Sequence, residues 1–123
     1  MRTVLVVDDN AAFRHSFAAH LHQYFPGMVI AEAADAAEAL EKVSAVEPHL
    51  LFVDIQLPGE SGLELTRKIK ADWPRVVIAV LTAYDLPEYR EAAQNLGADH
   101  FFSKSAPMEE LEAVIQCIES RLN

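Results

Sequence analysis

Residues 50–60 read Leu50-Leu51-Phe52-Val53-Asp54-Ile55-Gln56-Leu57-Pro58-Gly59-Glu60: an apolar run, an acid, then a loop rich in chain breakers. A short run that is apolar at every position, rather than at alternate ones, suits a strand buried on both faces of a parallel sheet. Asp54 stands where that strand ends. In open α/β sheets the carboxyl ends of the strands line the crevice where ligands bind, so an acid at this point is a candidate for chemistry. A second run, Val4 to Val7, ends in Asp8 and Asp9.

Outward from this stretch the chain alternates. Thr3 to Val7 reads as a strand, and Asn10 can cap a helix from Ala11 to about Tyr24, whose Phe13, Phe17 and Leu21 share a face. Pro26-Gly27 turns the chain into a weaker strand, Met28 to Ala33, suited to a sheet edge. Asp35 and Glu38 have capping-box spacing at the head of a helix running to about Val46, and Ser61 and Glu64 repeat it for a helix ending near Asp72. Val76 to Leu81 is a fourth, continuously apolar strand that ends at Thr82. A helix from about Leu86 to Leu96 follows, with Pro87 in its first turn and Gly97 just past its end. Asp99 to Ser103 forms a short fifth strand leading to Lys104. Beyond Pro107, Met108, Leu111, Ile115, Ile118 and Leu122 recur at helical spacing.

Five strands alternating with five helices, joined by short right-handed crossovers, predict an α/β doubly wound parallel sheet with helices on both faces. The flavodoxin-like strand order 2-1-3-4-5 would put strands one and three side by side at the switch point, bringing Asp8, Asp9 and Asp54 together with Thr82 and Lys104 at the same edge.

The 123 residues suit one domain, 1–123, and the composition, 51% hydrophobic and 24% charged, is globular. A net charge of -9 opposes binding to nucleic acid or to anionic membranes. Cys117 has no partner for an internal disulfide and reads as a packed thiol in a reducing, cytoplasmic setting. The longest apolar run, Val76 to Leu81, is too short to span a bilayer, and no leader is evident.

Three clustered carboxylates repel by roughly 4 kcal/mol per pair at 4 Å for an effective dielectric near 20. Either one is protonated or a cation sits among them, and an all-oxygen donor set favours Mg²⁺. A solvated Mg²⁺ can bind a phosphoryl group, which the Lys104 ammonium and the Thr82 hydroxyl also suit. Asp54 can serve as a nucleophile, because carboxylates form acyl phosphates.

These residues, in this order and at these strand ends, resemble the receiver domain of two-component response regulators. The stretch from Trp73 to Ser105, with Leu81-Thr82-Ala83-Tyr84-Asp85 at its centre, is most similar to receivers that precede a LuxR-type helix-turn-helix output domain. The resemblance implies that Asp54 accepts a phosphoryl group from a sensor histidine kinase or a phosphotransfer protein. It also implies that Asp9, Asp54 and the backbone carbonyl of Gln56 ligate Mg²⁺, with Asp8 acting through water. Thr82 would bond the phosphoryl group, Lys104 would pair with it, and Phe101 would be the switch aromatic, turning inward as Thr82 moves. The altered surface would be the fourth helix, fifth strand and fifth helix. Val114 and Cys117 widen the apolar stripe of the last helix, which suits a dimer, phosphorylation-dependent or not, or a partner contact through the first and last helices.

Three features depart from that pattern. Ser105 follows the lysine where proline is usual; a cis bond there would cost about 3 to 4 kcal/mol, which leaves a trans loop or a site that holds cis against the cost. Phe101 lacks a tyrosine hydroxyl. Gln56 and Tyr84 occupy positions that tune removal of the phosphoryl group by water.

Competing readings are weaker. Asp8 and Asp9 could be helix-start acids, Lys104 a loop charge and Phe101 plain core. His15, His20 and His22 point to different helix faces and read as surface histidines, not a metal site. An aspartate-nucleophile phosphatase would carry a second acid where Gln56 stands. A nucleotide switch would need a Gly-rich loop after the first strand. A phosphorylation-independent adaptor would have no need of the full acidic set.

Overall fold

In the computed structural model, which describes residues 2–122, the chain alternates β1 (Thr3–Val7), α1 (Ala11–Tyr24), β2 (Val29–Ala33), α2 (Ala36–Val46), β3 (Leu50–Val53), α3 (Gly62–Asp72), β4 (Val77–Thr82), α4 (Pro87–Asn95), β5 (His100–Ser103) and α5 (Met108–Leu122). The strands form one parallel sheet in the order β2-β1-β3-β4-β5. The predicted weak strand is an edge, and the apolar β1, β3 and β4 are interior.

Strand geometry sends successive side chains to opposite faces, so each central strand feeds two cores. Leu5, Val7, Leu51, Val53, Ile78 and Val80 pack with Val43 of α2, Leu65 and Ile69 of α3 and Ala93 of α4. Val4, Val6, Leu50, Phe52 and Leu81 pack with Phe17 and Leu21 of α1 and Leu111, Ile115 and Ile118 of α5. That two-sided burial is why these strands read as unbroken apolar runs.

Helix boundaries follow their caps. Asn10 accepts from the Phe13 amide and Asp35 from that of Glu38, satisfying first-turn donors. The expected capping boxes form only in half: Ser61 accepts from the Leu63 amide, while Glu38 and Glu64 turn outward to Lys42 and Arg67. Pro87 opens α4, and Gly97, at φ 106°, ends it in a conformation that side chains disfavour.

Four expectations need correction, the first being that β5 begins at His100 rather than Asp99, whose carboxylate accepts from the Ile78 amide at 2.9 Å. β2 begins at Val29 rather than Met28, because the Met28 amide closes a turn onto the Phe25 carbonyl. β4 likewise begins at Val77, the Val76 amide being taken by Trp73. Cys117 is exposed, not packed, because the buried line of α5 runs through Leu111, Ile115 and Ile118 and leaves Cys117 on the outer face. The side chain of Leu122 lies outside the described residues.

Candidate functional site

Parallel register delivers the strand ends to one edge: Val7 aligns with Val53, Val53 with Val80, and Thr82 with Ser103. The ladder then continues one residue beyond the strands. The Asp8 amide donates to Ala33, the Asp54 amide to Val7 and the Lys104 amide to Thr82, at 3.0, 3.1 and 2.8 Å. The three candidate side chains therefore hang from backbone that continues the sheet ladder.

Asp8, Asp9 and Asp54 each offer a carboxylate oxygen within 4.8 Å of the others. Asp8 and Asp54 are buried, at 2% and 6% exposure, while Asp9 faces solvent. Such proximity calls for a proton on one of the acids or for a positive charge at hand. Lys104 supplies one: its ammonium lies 2.8 Å from Oδ2 of Asp8 and 3.0 Å from Oδ2 of Asp54. Burial works against the charged lysine, but the hydrogen bonds to Asp8 and Asp54, reinforced by their charges, outweigh it and hold the pKa above the ordinary 10.5. The other oxygens accept from the chain, Oδ1 of Asp8 from the Asn10 amide at 2.9 Å and Oδ1 of Asp54 from the Gln56 amide at 3.3 Å.

The donor set fits Mg²⁺. It is all oxygen, its three carboxylates lie within 4.8 Å of one another, and one of them opens to water, as suits an ion that keeps several of its waters. A cationic ammonium already sits between two of the acids, so the pocket is built around positive charge.

Thr82 is fully buried, and its hydroxyl accepts from the Tyr84 amide at 3.2 Å. Phe101 is half-buried against the α2/α3/α4 core, with the Arg90 guanidinium 4.7 Å from its ring centroid. Arg90 also donates to Asp85 at 2.6 Å, and that hydrogen bond keeps the exposed Asp85 carboxyl below its usual range. The Lys104–Ser105 bond is trans. The Ser103 hydroxyl accepts from the Ser105 amide at 3.1 Å, so a serine turn shapes the loop without proline.

Two contributors went unread in the sequence. Gly62 donates its amide to Ile55 at 2.8 Å, and a Cβ there would lie 1.9 Å from the Asp54 carbonyl oxygen. Its place at the first position of α3, where side chains are normally welcome, was the available signal. Arg14 reaches the Asp8 carbonyl at 2.6 Å and Glu32 at 3.0 Å, tying α1 and β2 to the site loop. The histidines do not converge: His15 pairs with Glu32, and His20 pairs with Glu112 while stacking on Tyr24.

A doubly wound sheet that sets buried acids and a paired lysine at its switch point defines an α/β domain with an acidic site at its ligand-binding edge. Comparison with known proteins supplies the family. The response regulator receiver domain matches residues 4–116, and the chain belongs to that family. It is thus a phosphoacceptor signalling domain of a two-component system. It is 36% identical over 116 residues to the oxygen regulatory protein NreC of Staphylococcus haemolyticus, covering 94% of this chain and 54% of that protein. The chain thus spans about half the length of the curated relatives it matches. Among solved structures, a LuxR-family two-component response regulator from Aurantimonas superposes with a TM-score of 0.87 at 30% identity, over 94% of this chain and 83% of that one. The response regulator TrrA of Thermotoga maritima, solved with Mg²⁺ and BeF, gives 0.85 at 32% identity, over 96% and 99%. No described helix is long and apolar enough to cross a membrane.

Proposed function

We propose that residues 1–123 act as one receiver unit in which Asp54 is the phosphoacceptor. The observation that carries this reading is the Asp54 carboxylate, buried at a strand end and hydrogen-bonded to Lys104, with two further acids beside it. An Asp54 oxygen attacks the phosphorus of a phosphohistidine on a sensor kinase or phosphotransfer protein. A P–O bond forms as the P–N bond breaks, and the released imidazole nitrogen takes up a proton. Water later attacks the same phosphorus, returning the carboxylate and inorganic phosphate. The domain turns over no other substrate; it catalyses only its own phosphorylation and dephosphorylation.

The carboxylates of Asp8, Asp9 and Asp54 and the backbone carbonyl of Gln56 would hold Mg²⁺, with Asp8 acting through water. Bound there, the ion supplies positive charge to phosphoryl oxygens as charge develops on them. Lys104 is already within 3.0 Å of Asp54 and pairs with the new phosphoryl group. Thr82 exchanges its Tyr84 partner for a phosphoryl oxygen, and Phe101 follows inward. The change reaches the surface of α4, β5 and α5. A LuxR-type helix-turn-helix output domain, outside this sequence, is the natural reader, whether through a dimer or through released contacts. DNA binding belongs to that domain, since this one is strongly acidic. A cytoplasmic location accords with such partners.

The test is incubation with acetyl phosphate, with Mg²⁺ or with excess chelator, followed by intact-mass measurement. One phosphoryl group is expected per wild-type chain with Mg²⁺, and none with chelator or in Asp54→Asn. A phosphoryl mass that persists in Asp54→Asn overturns the assignment. Many turnovers of a phosphatase substrate would favour an aspartate-nucleophile phosphatase, which Gln56, standing where that enzyme needs an acid, already opposes.

A further inference from the structure

Lys104 has a second neighbour that the reaction scheme leaves unused. Its ammonium, paired with Asp8 and Asp54, also lies 4.3 Å from the centroid of the Phe13 ring. A cation over an aromatic face within about 6 Å is attracted by the ring quadrupole, more strongly where water is excluded. The lysine side chain is only 18% exposed, so this contact falls toward the stronger end.

The ring is itself fixed. Phe13 stacks on Phe17, one helical turn on, at 5.8 Å and 10°, and Phe17 meets Phe52 edge-on at 5.0 Å. Phe17 and Phe52 are 5% and 2% exposed. Phe52 lies on β3 two residues before Asp54, so the same strand that presents the phosphoacceptor braces the aromatic column behind the lysine. Phe13 and Lys104 share a small pocket of about 40 Å³ with Ala106, Met108 and Leu111.

We infer that Phe13 is a positioning residue for phosphoryl transfer: its ring face holds the Lys104 ammonium between Asp8 and Asp54 and keeps it there as Asp54 gains the phosphoryl group. This rests on the function proposed above. Asp8 and Asp54 can pull the ammonium toward themselves, but they cannot limit how it swings or how many waters it collects. A flat apolar face with a negative quadrupole does both, and it asks for no hydrogen-bond donor in return. An aliphatic residue of similar volume fills the space and offers no such attraction.

The experiment replaces Phe13 with phenylalanines bearing one, two and three ring fluorines, and separately with Leu. Ring fluorination changes volume little and weakens the quadrupole stepwise. Two quantities are read: the ring-current displacement of the Lys104 ε-methylene NMR signal, and the initial rate of Asp54 phosphorylation by acetyl phosphate with Mg²⁺. The wild-type ε-methylene signal should be shifted upfield, and that shift should vanish in Phe13→Leu. The rate should fall with each fluorine, reaching about a fivefold loss at three, which corresponds to about 1 kcal/mol. Phe13→Trp should restore at least the wild-type rate. A rate that stays flat across the fluorinated series, with an active wild type, overturns the inference and leaves Phe13 as packing. A wild type that takes up no phosphoryl group overturns the underlying function instead, and this inference with it.

Discussion

Replacing Lys104 with Met keeps most of the aliphatic stem and removes the ammonium, leaving two buried carboxylates facing one another. Breaking a buried ion pair by deleting one partner costs roughly 3 to 5 kcal/mol, because the remaining charge is stranded. Here Lys104 is 18% exposed, and water can enter beside the exposed Asp9, so the loss should be nearer about 2 kcal/mol. With a urea m-value of about 1.5 kcal/mol/M, the unfolding midpoint at pH 7 in chelator should drop by about 1.3 M. Mg²⁺ should narrow the gap, because the cation stabilises the variant at 100 times its dissociation constant by about 2.7 kcal/mol, whereas in the wild type it competes with the lysine. The pH dependence has a definite sign. The Lys104 pKa is raised in the folded state above its ordinary 10.5, so its contribution is complete below that value and is lost as pH climbs through the folded-state pKa. The difference between the two proteins should therefore stay level from neutral pH to about 10 and close above that. Urea unfolding followed by circular dichroism, repeated across pH and with and without Mg²⁺, measures all of this. A midpoint change below about 0.3 M in chelator, or a gap indifferent to Mg²⁺, would refute the view that Lys104 is the resident counter-charge of the acidic pocket.

Gly62→Ala should destabilise the fold by about 3 kcal/mol and lower the melting temperature by about 10 °C, since the added methyl would sit 1.9 Å from the Asp54 carbonyl and backbone must give way; a change under 2 °C by calorimetry would show that the loop adapts freely. Asp35→Ala removes an N-cap whose side chain accepts from the Glu38 amide at 2.8 Å and should cost about 1 kcal/mol, read as a lower urea midpoint with unchanged slope. Asp35→Asn, which keeps the acceptor, should lose less than half of that, and an equal loss would move the effect from capping to charge.

The sequence was most legible where one physical demand dominated. Interior strands buried on two faces had to be apolar throughout, which exposed β1, β3 and β4 and fixed the points at which Asp8, Asp54 and Thr82 emerge. Breakers and caps marked the helix ends to within a residue, at Asn10, Asp35, Ser61 and Pro87. The outer half of each capping box was not legible, because a surface glutamate chooses between the helix start and a nearby cation on small differences: Glu38 took Lys42 and Glu64 took Arg67. Cys117 was misplaced because an apolar pattern gives the angular width of a stripe but not how much of it a neighbour covers. Gly62 and Phe13 depend on contacts with Asp54 and Lys104 across long sequence separations, and periodicity within one helix carries no trace of those.

Under the proposed assignment, the Thr82 hydroxyl would link the acidic site to the outer surface through the Tyr84 amide. Being fully buried, Thr82 cannot satisfy its hydroxyl with water, and in this structure it serves as acceptor to the Tyr84 amide. Under the proposed assignment it turns toward a phosphoryl oxygen and donates to it, which withdraws that acceptor from Tyr84. The segment that loses its tether carries two exposed apolar residues, Tyr84 and Leu86, and runs directly into α4, where Arg90 bridges Asp85 and the Phe101 ring. Under the same assignment, moving the Tyr84 segment would loosen the Asp85–Arg90 clasp beside the Phe101 ring. That change would favour the inward ring. Because Phe101 has no hydroxyl to anchor it in either position, the balance rests on packing and on one guanidinium contact, so Arg90→Ala should bias the ring inward before any phosphoryl group arrives. Methyl and ring NMR signals around Phe101 would report that bias, and a ring environment unchanged by Arg90→Ala would place the restraint elsewhere.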